Sequence, residues 1–305
     1  MAFTLLAHWL MDTKKNGPAV ILKETVRKFL RDNAPRLAAA LAYYTMFSFA
    51  PLLIIAVAIV GFIYGSEAAQ GHIIEQLSEY VGRTAAQYVQ RVVLNISRPG
   101  SGLTATIISV VLLLWGASQI FKHLRFSLNA IWNIKIKDKV GIVHRIKTRG
   151  FSFLLVLITG LVLLASIAVG TAVTTLVSFF DELIPGIPFL WRTANFFLHL
   201  GIATGVFALI FKYIPNAKAK WNPVLVGALF TGLLFSMGRI LLGLYLSRIS
   251  IINAYGAAAS LVVVMLWFYY SGIILFLGAE FTQTYAARRG TPILPSDHAR
   301  FVNEG

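Results

Sequence analysis

Lys122, Arg125 and Asn129 fall at steps of three and four residues, inside a longer series of Trp115, Ser118, Lys122, Arg125, Asn129 and Trp132. That spacing puts all six on one face of a single helix. A cationic stripe with aromatic and amide neighbours is suited to an anionic headgroup or an anionic small solute. Gln119, His123 and Asn133 lie beside it and extend its polar surface. One carboxylate, Glu280, sits deep in an apolar stretch near the other end of the chain. Intramembrane charges cost several kcal/mol unless they are satisfied, so each is a functional candidate. Tyr43 and Tyr44 add hydroxyls to a third apolar stretch, which also carries Pro51.

Depth decides which of these groups could meet. Arg239 is about 24 Å above the start of its apolar helix, near one surface, and Glu280 is about 36 Å along its own, near the opposite surface. The two are therefore not expected to pair. Arg239 is placed to snorkel outward, and Glu280 lies closer in depth to Lys122 and Arg125. The expectation is that Glu280 interacts with the cationic stripe. The alternative is that it caps the helix boundary, paired with Arg288 or Arg36. No second membrane carboxylate is evident in the sequence, which argues against a proton relay of the kind pumps use. His199, in another apolar stretch, reads as a packed, hydrogen-bonded residue.

The elements that must hold these groups are membrane helices. The chain of 305 residues is 57% hydrophobic and only 13% charged, with mean hydropathy +0.74, whereas soluble domains carry about 25% charge. There are no cysteines, which excludes disulfides, thiolate metal sites and cysteine nucleophiles. No phosphate loop and no H-E-x-x-H pattern occurs. The six histidines are dispersed without metal-ligand spacing. A two-metal nuclease needs clustered carboxylates or histidines, and none is visible. No metal or cofactor is expected, and no nucleic acid. The net charge of +15 falls in loops between apolar segments, as positive-inside topology requires.

Read in order, the sequence predicts an all-α polytopic membrane protein with six transmembrane helices. Residues 1–35 form an N-terminal segment whose 19–31 stretch is amphipathic. Leu22, Val26, Phe29 and Leu30 share a face, with Lys23, Arg27, Lys28 and Arg31 around the rest. This predicts an interfacial helix on anionic headgroups, the alternative being a solvated helix packed on the core. Residues 36–289 make the membrane domain. Its spans are about 37–64, 103–121 extending to 133, 151–179, 193–214, 223–246 and 256–287. Pro51 should kink the first. Residues 66–102 read as an amphipathic segment on the outer face. Gly227, Ala228, Gly232, Ser236 and Gly243 in the fifth span point to close helix packing. Residues 290–305 are expected to be a frayed tail.

The basic residues test this topology. Of the 27 Lys and Arg, Arg83, Arg91, Arg98, Arg192 and Arg248 fall on the outer side and Arg239 within a span. All others fall inside, which predicts cytoplasmic N- and C-termini.

Three stretches then resemble the YihY/BrkB family of polytopic inner-membrane proteins. They are Arg36 to Tyr44 continuing through Phe49-Ala50-Pro51-Leu52-Leu53, Trp115-Gly116-Ala117-Ser118 with Leu128 to Trp132, and Tyr255-Gly256-Ala257-Ala258 through Leu266-Trp267 to Leu277-Gly278-Ala279-Glu280-Phe281. The resemblance runs over about residues 30–290. It implies an all-helical protein with about six spans, plausible as a transporter or lipid-handling protein. Members have carried ribonuclease BN, virulence-factor and serum-resistance labels. The missing motifs speak against a nuclease, so no enzymatic role is expected. The leading expectation is a transporter or lipid translocator for an anionic or lipid-like substrate. Lys122, Arg125 and Glu280 would be its charged elements, and Tyr43, Tyr44, Gln119 and Asn129 its polar lining. A non-transporting envelope scaffold that binds partners is the second expectation.

Overall fold

A computed structural model describes residues 17–46, 119–137, 187–248 and 259–302. The expected kink at Pro51, the third span and the outer segment 66–102 lie outside the described residues, as do most of the first and second spans. The described residues are mostly helical, with two short two-stranded sheets. The strands are an addition to the expected all-α architecture.

Helix α1 spans Pro18–Arg31. Pro18 occupies the first turn, where its missing N–H would have no partner anyway. Lys28 and Arg31 in the last turn complement the negative end of the helix dipole. Asn33 then takes a left-handed conformation at φ 53, which Asn tolerates better than most residues. That turn starts helix α2, residues 34–46. Helix α3, residues 119–131, ends in the same way, with Asn133 at φ 56, and leads into β1 (Ile134–Ile136).

Three long helices follow. They are α4 (Ile187–Tyr213), α5 (Trp221–Arg248) and α6 (Ala259–Arg288), with β2 (Ala217–Lys218) between α4 and α5. Phe196–Tyr213, Trp221–Arg239 and Val262–Arg288 are each long and apolar enough to cross a bilayer, matching the predicted fourth, fifth and sixth spans. Along α5, Leu225, Leu229, Leu233, Met237 and Leu241 are exposed at every fourth position. Such a ridge has no place on a water-soluble surface and faces lipid.

The helices approach closely where side chains are small, as lipid-embedded packing requires. Gly227 of α5 receives Thr282 of α6, and Gly278 of α6 receives Thr231 of α5; a methyl group at either glycine would overlap the threonine hydroxyl. Each threonine bonds back to the glycine carbonyl one turn earlier, Thr231 Oγ1 to Gly227 O at 2.6 Å and Thr282 Oγ1 to Gly278 O at 2.7 Å. The two Gly-x-x-x-Thr segments thus interlock reciprocally. Ala228 is fully buried, Gly232 packs against Thr204 of α4, and Ser236 bonds to Gly232 O. These are the small residues that the sequence assigned to packing; Gly243 lies where no side-chain surroundings are described. Ala38 of α2 lies against Gly272 of α6.

Residues 290–302 are not frayed, contrary to expectation. Gly290 at φ +66 closes α6, with Gly290 N bonding to Ala287 O and Thr291 N to Ala286 O. This is the Schellman arrangement, which needs a left-handed residue and favours glycine. The chain then forms β3 (Leu294–Pro295) and β4 (Ala299–Phe301). Strand β4 pairs antiparallel with β1, Ile134 opposite Phe301, and β3 pairs antiparallel with β2, Ala217 opposite Pro295. Asp297, between them, forms an ion pair with Lys218, and its carbonyl accepts from Lys137 Nζ at 3.0 Å. The segment therefore ties the chain after α3 to the chain after α4.

Candidate functional site at the α1, α3 and α6 junction

Helix α1 has three sectors. Ile21, Thr25 and Phe29 are buried and dock on α6. Leu22, Val26 and Leu30 are exposed. Lys23, Arg27 and Arg31 form a basic sector beyond them. The apolar face read from the sequence is thus split: Phe29 belongs to the docked face and the other three to an outward one. Following the docked face from Ile21, Thr25 and Phe29 leads one turn on to Asp32.

Two polar contacts hold α1 against α6. Arg288 donates to Glu24 Oε2 from Nε at 3.1 Å and from Nη2 at 2.7 Å. Lys28 Nζ reaches Gln283 Oε1 at 3.4 Å and lies 3.9 Å from Glu24 Oε1. The Arg288 hydrogen bonds hold the Glu24 carboxyl below its ordinary value of 4.5, outweighing partial burial, which pushes it up. Arg288, the alternative partner for Glu280, is thus engaged by Glu24.

Glu280 is fully buried. Neither of its oxygens has a hydrogen-bond partner among the described residues. The charged groups that bear on it most are Asp32, Lys28 and Arg31, from α1 and the turn after it. Lys122 is exposed and Arg125 Nε donates to Ile214 O at 3.0 Å. The expected pairing of Glu280 with the cationic stripe therefore gives way to an environment set by the N-terminal helix. Among the described residues, the stripe comes near Glu280 through its last aromatic residue: Trp132, itself buried, donates from Nε1 to Ala279 O at 3.1 Å.

The middle of the stripe holds the turn after α4. Arg125 meets the carbonyl of Ile214, just past the end of that helix, where a cation complements the dipole. The buried Asn129 accepts through Oδ1 from Asn216 N at 2.8 Å. Lys212 from α4 lies 5.3 Å over the Trp221 ring and donates to Ala219 O, closing the same turn.

The tyrosines belong to a third group. Tyr43 and Tyr44 meet edge to face at 5.7 Å, and the Tyr44 ring lies 4.9 Å from His123. His123 Nε2 is 3.4 Å from Leu37 O. These contacts join α2 to α3. Gln119 is half-buried on the preceding turn of α3. The predicted site residues thus fall into three neighbouring clusters along α3. Residues that sequence reasoning missed are Asp32, Glu24, and the fully buried Thr25, Ser127 and Thr284. The hydroxyls of Ser127 and Thr284 have no hydrogen-bond partner among the described residues. Among the described residues, no group of His, Cys, Asp and Glu could hold a metal ion.

What this arrangement offers is a buried carboxyl with an acidic neighbour at its outlet and cations beyond it. Comparison with known proteins places that geometry in context. The family model described as Virulence factor BrkB matches residues 25–300. A UPF0761 membrane protein of Pseudoalteromonas translucida is 30% identical over 247 residues, covering 79% of this chain and 78% of the relative. Another UPF0761 membrane protein, from Mannheimia succiniciproducens, is 29% identical over 270 residues, covering 86% and 88%. No solved structure matches the chain.

Proposed function

This chain belongs to the BrkB family of membrane proteins, and from that premise we propose that it is a transporter or lipid translocator of the bacterial inner membrane. Its substrate would be anionic or lipid-like. The observation that carries the reading is Glu280, a fully buried carboxyl whose oxygens have no hydrogen-bond partner among the described residues, inside packed helices of membrane-spanning length. Ionisable groups inside membrane helices are rare and costly, and they mark substrate or ion pathways. The six-span topology with cytoplasmic termini belongs to the same proposal. In its favour, α1, the end of α6, β1 to β4 and the basic residues Lys135, Lys137, Lys218 and Lys220 gather at one end of the described helices, as positive-inside insertion would arrange them.

The test is reconstitution of the full chain in vesicles of phosphatidylethanolamine and phosphatidylglycerol. Movement of a fluorescent phosphatidylglycerol across the bilayer should exceed that in protein-free vesicles. It should fall at least tenfold in E280Q, and weaken in K122A/R125A. Equal movement with and without protein would remove the reading. The alternative, a non-transporting envelope scaffold, is favoured by one observation, the ordered clasp of β1 with β4 and β2 with β3, which builds a firm polar platform at the end of the bundle. Under that reading E280Q would be silent, and disrupting the clasp would abolish association with envelope proteins.

A further inference from the structure

Asp32 and Glu280 meet where the turn after α1 folds onto α6: the contacts of Glu24 with Arg288 and of Lys28 with Gln283 run antiparallel and bring Asp32, one turn on, to Glu280. Two ionised carboxylates are both acceptors, so no hydrogen bond can form between them. The same deficit appears as two Glu280 oxygens without a hydrogen-bond partner among the described residues. One proton repairs it, converting one acid into a donor and removing one buried negative charge.

The surroundings decide which acid carries that proton. Arg31 donates to both oxygens of Asp32, from Nε to Oδ1 at 2.9 Å and from Nη2 to Oδ2 at 3.4 Å. Those bonds use both Asp32 oxygens as acceptors for a cation, whereas no group among the described residues donates to Glu280. The Asp32 side chain is 15% exposed, whereas Glu280 is fully buried. Lys28 is the other cation near Glu280, and it is shared with Glu24 and Gln283. Among the described residues, the contacts that the other helices make with α6 near this point are uncharged. Helix α3 contributes the Trp132 indole at Ala279, α5 contributes Thr231 at Gly278, and α2 contributes Ala38 at Gly272. Farther along α6, Arg288 is directed at Glu24.

We propose that Glu280 and Asp32 form a proton-binding pair, with the proton resident on Glu280 and exchanged with water through Asp32. On release, the Glu280 hydroxyl gives its proton to the Asp32 carboxylate, and Asp32 passes it to solvent. Loading runs in reverse. The pair supplies the second carboxylate that the sequence lacked within its spans, because Asp32 comes from outside them. It deepens the transporter reading by naming the proton as coupling ion; its use in transport rests on that reading, but its existence does not.

The experiment is pH-dependent infrared difference spectroscopy on the full chain in phosphatidylethanolamine and phosphatidylglycerol nanodiscs. Wild type should show a protonated-carboxyl band that is lost as pH rises. E280Q should lack that band, and D32N should keep it with a shifted midpoint. E280D, which retains a carboxyl, should keep a titrating band at a new midpoint, and it serves where E280Q fails to fold. The proposal falls if wild type shows no such band, if E280Q keeps all of them, or if D32N leaves the midpoint unmoved. It also falls if the band answers to added Na⁺ or K⁺ and not to pH. A correct band pattern in a protein that moves no lipid in any vesicle assay would keep the proton pair and remove the transporter reading.

Discussion

Arg288, in the last turn of α6, directs two N–H groups at a single oxygen of Glu24 on α1, at 3.1 and 2.7 Å. This bond sets the position of the N-terminal helix, and with it the position of Asp32. Both side chains are less than a third exposed, at 28% and 23%, so the pair is screened less than a surface bridge. R288A should lower stability by about 1–2 kcal/mol, read as thermal unfolding in detergent. The pH dependence has a definite sign. A carboxyl held below its ordinary value contributes stability that is fully present above that value and is lost as pH falls through the folded one. The gap between wild type and R288A should therefore be constant near neutrality and close below pH 4.5. A gap that persists in acid would assign the effect to packing of the arginine stem instead.

The reciprocal glycine and threonine contacts of α5 and α6 leave no room for a methyl group. G227A and G278A should each cost about 1–3 kcal/mol through overpacking. Removing the opposing hydroxyl and methyl should recover part of the loss, so G227A/T282A should be more stable than G227A alone. Additive losses in the double variant would show that the two residues do not press on each other.

Asn129 accepts the Asn216 amide in a buried setting. N129A would leave that N–H without a partner, at about 1–3 kcal/mol, and N129D should retain the acceptor and most of the stability. The comparison also separates structure from substrate contact. Should N129A abolish lipid movement at unchanged melting temperature, the residue faces substrate.

Absence of cysteine makes α1 open to single-site labelling. An environment-sensitive dye at L22C, V26C or L30C should be quenched by lipids carrying bromine on their acyl chains. Dye at K23C or R27C should be quenched much less. Equal quenching at all five positions would mean that the outward apolar sector does not enter the interface.

How much of this was legible beforehand follows from length scales. The predicted spans 193–214, 223–246 and 256–287 fall on Ile187–Tyr213, Trp221–Arg248 and Ala259–Arg288, because a long uncharged run admits few alternatives. The family resemblance held as well. The docked face of α1 was not legible, since Leu22 and Val26 are as apolar as Ile21 and Phe29, and only the partner surface tells the two sectors apart. Strands of two or three residues carry no measurable alternation, so the pairing of 134–136 with 299–301 left no trace. Glu280 was identifiable as an isolated charge, but its neighbour was not, because Asp32 reaches it from the opposite end of the chain. Of the polar stripe, Trp115 and Ser118 lie outside the described residues, and Arg125 and Asn129 hold a neighbouring helix end.

The clasp at the end of the bundle carries a consequence for biosynthesis. Its two halves await partners made much earlier: 134–136 waits for 299–301, and 217–218 waits for 294–295. During translation the apolar helices enter the bilayer first, while both of these waiting edges stay open. The turn after α4 and the edge after α3 are joined only when residues 294–301 leave the ribosome. The order of synthesis thus places the joining of these two edges after all the described helices have been made.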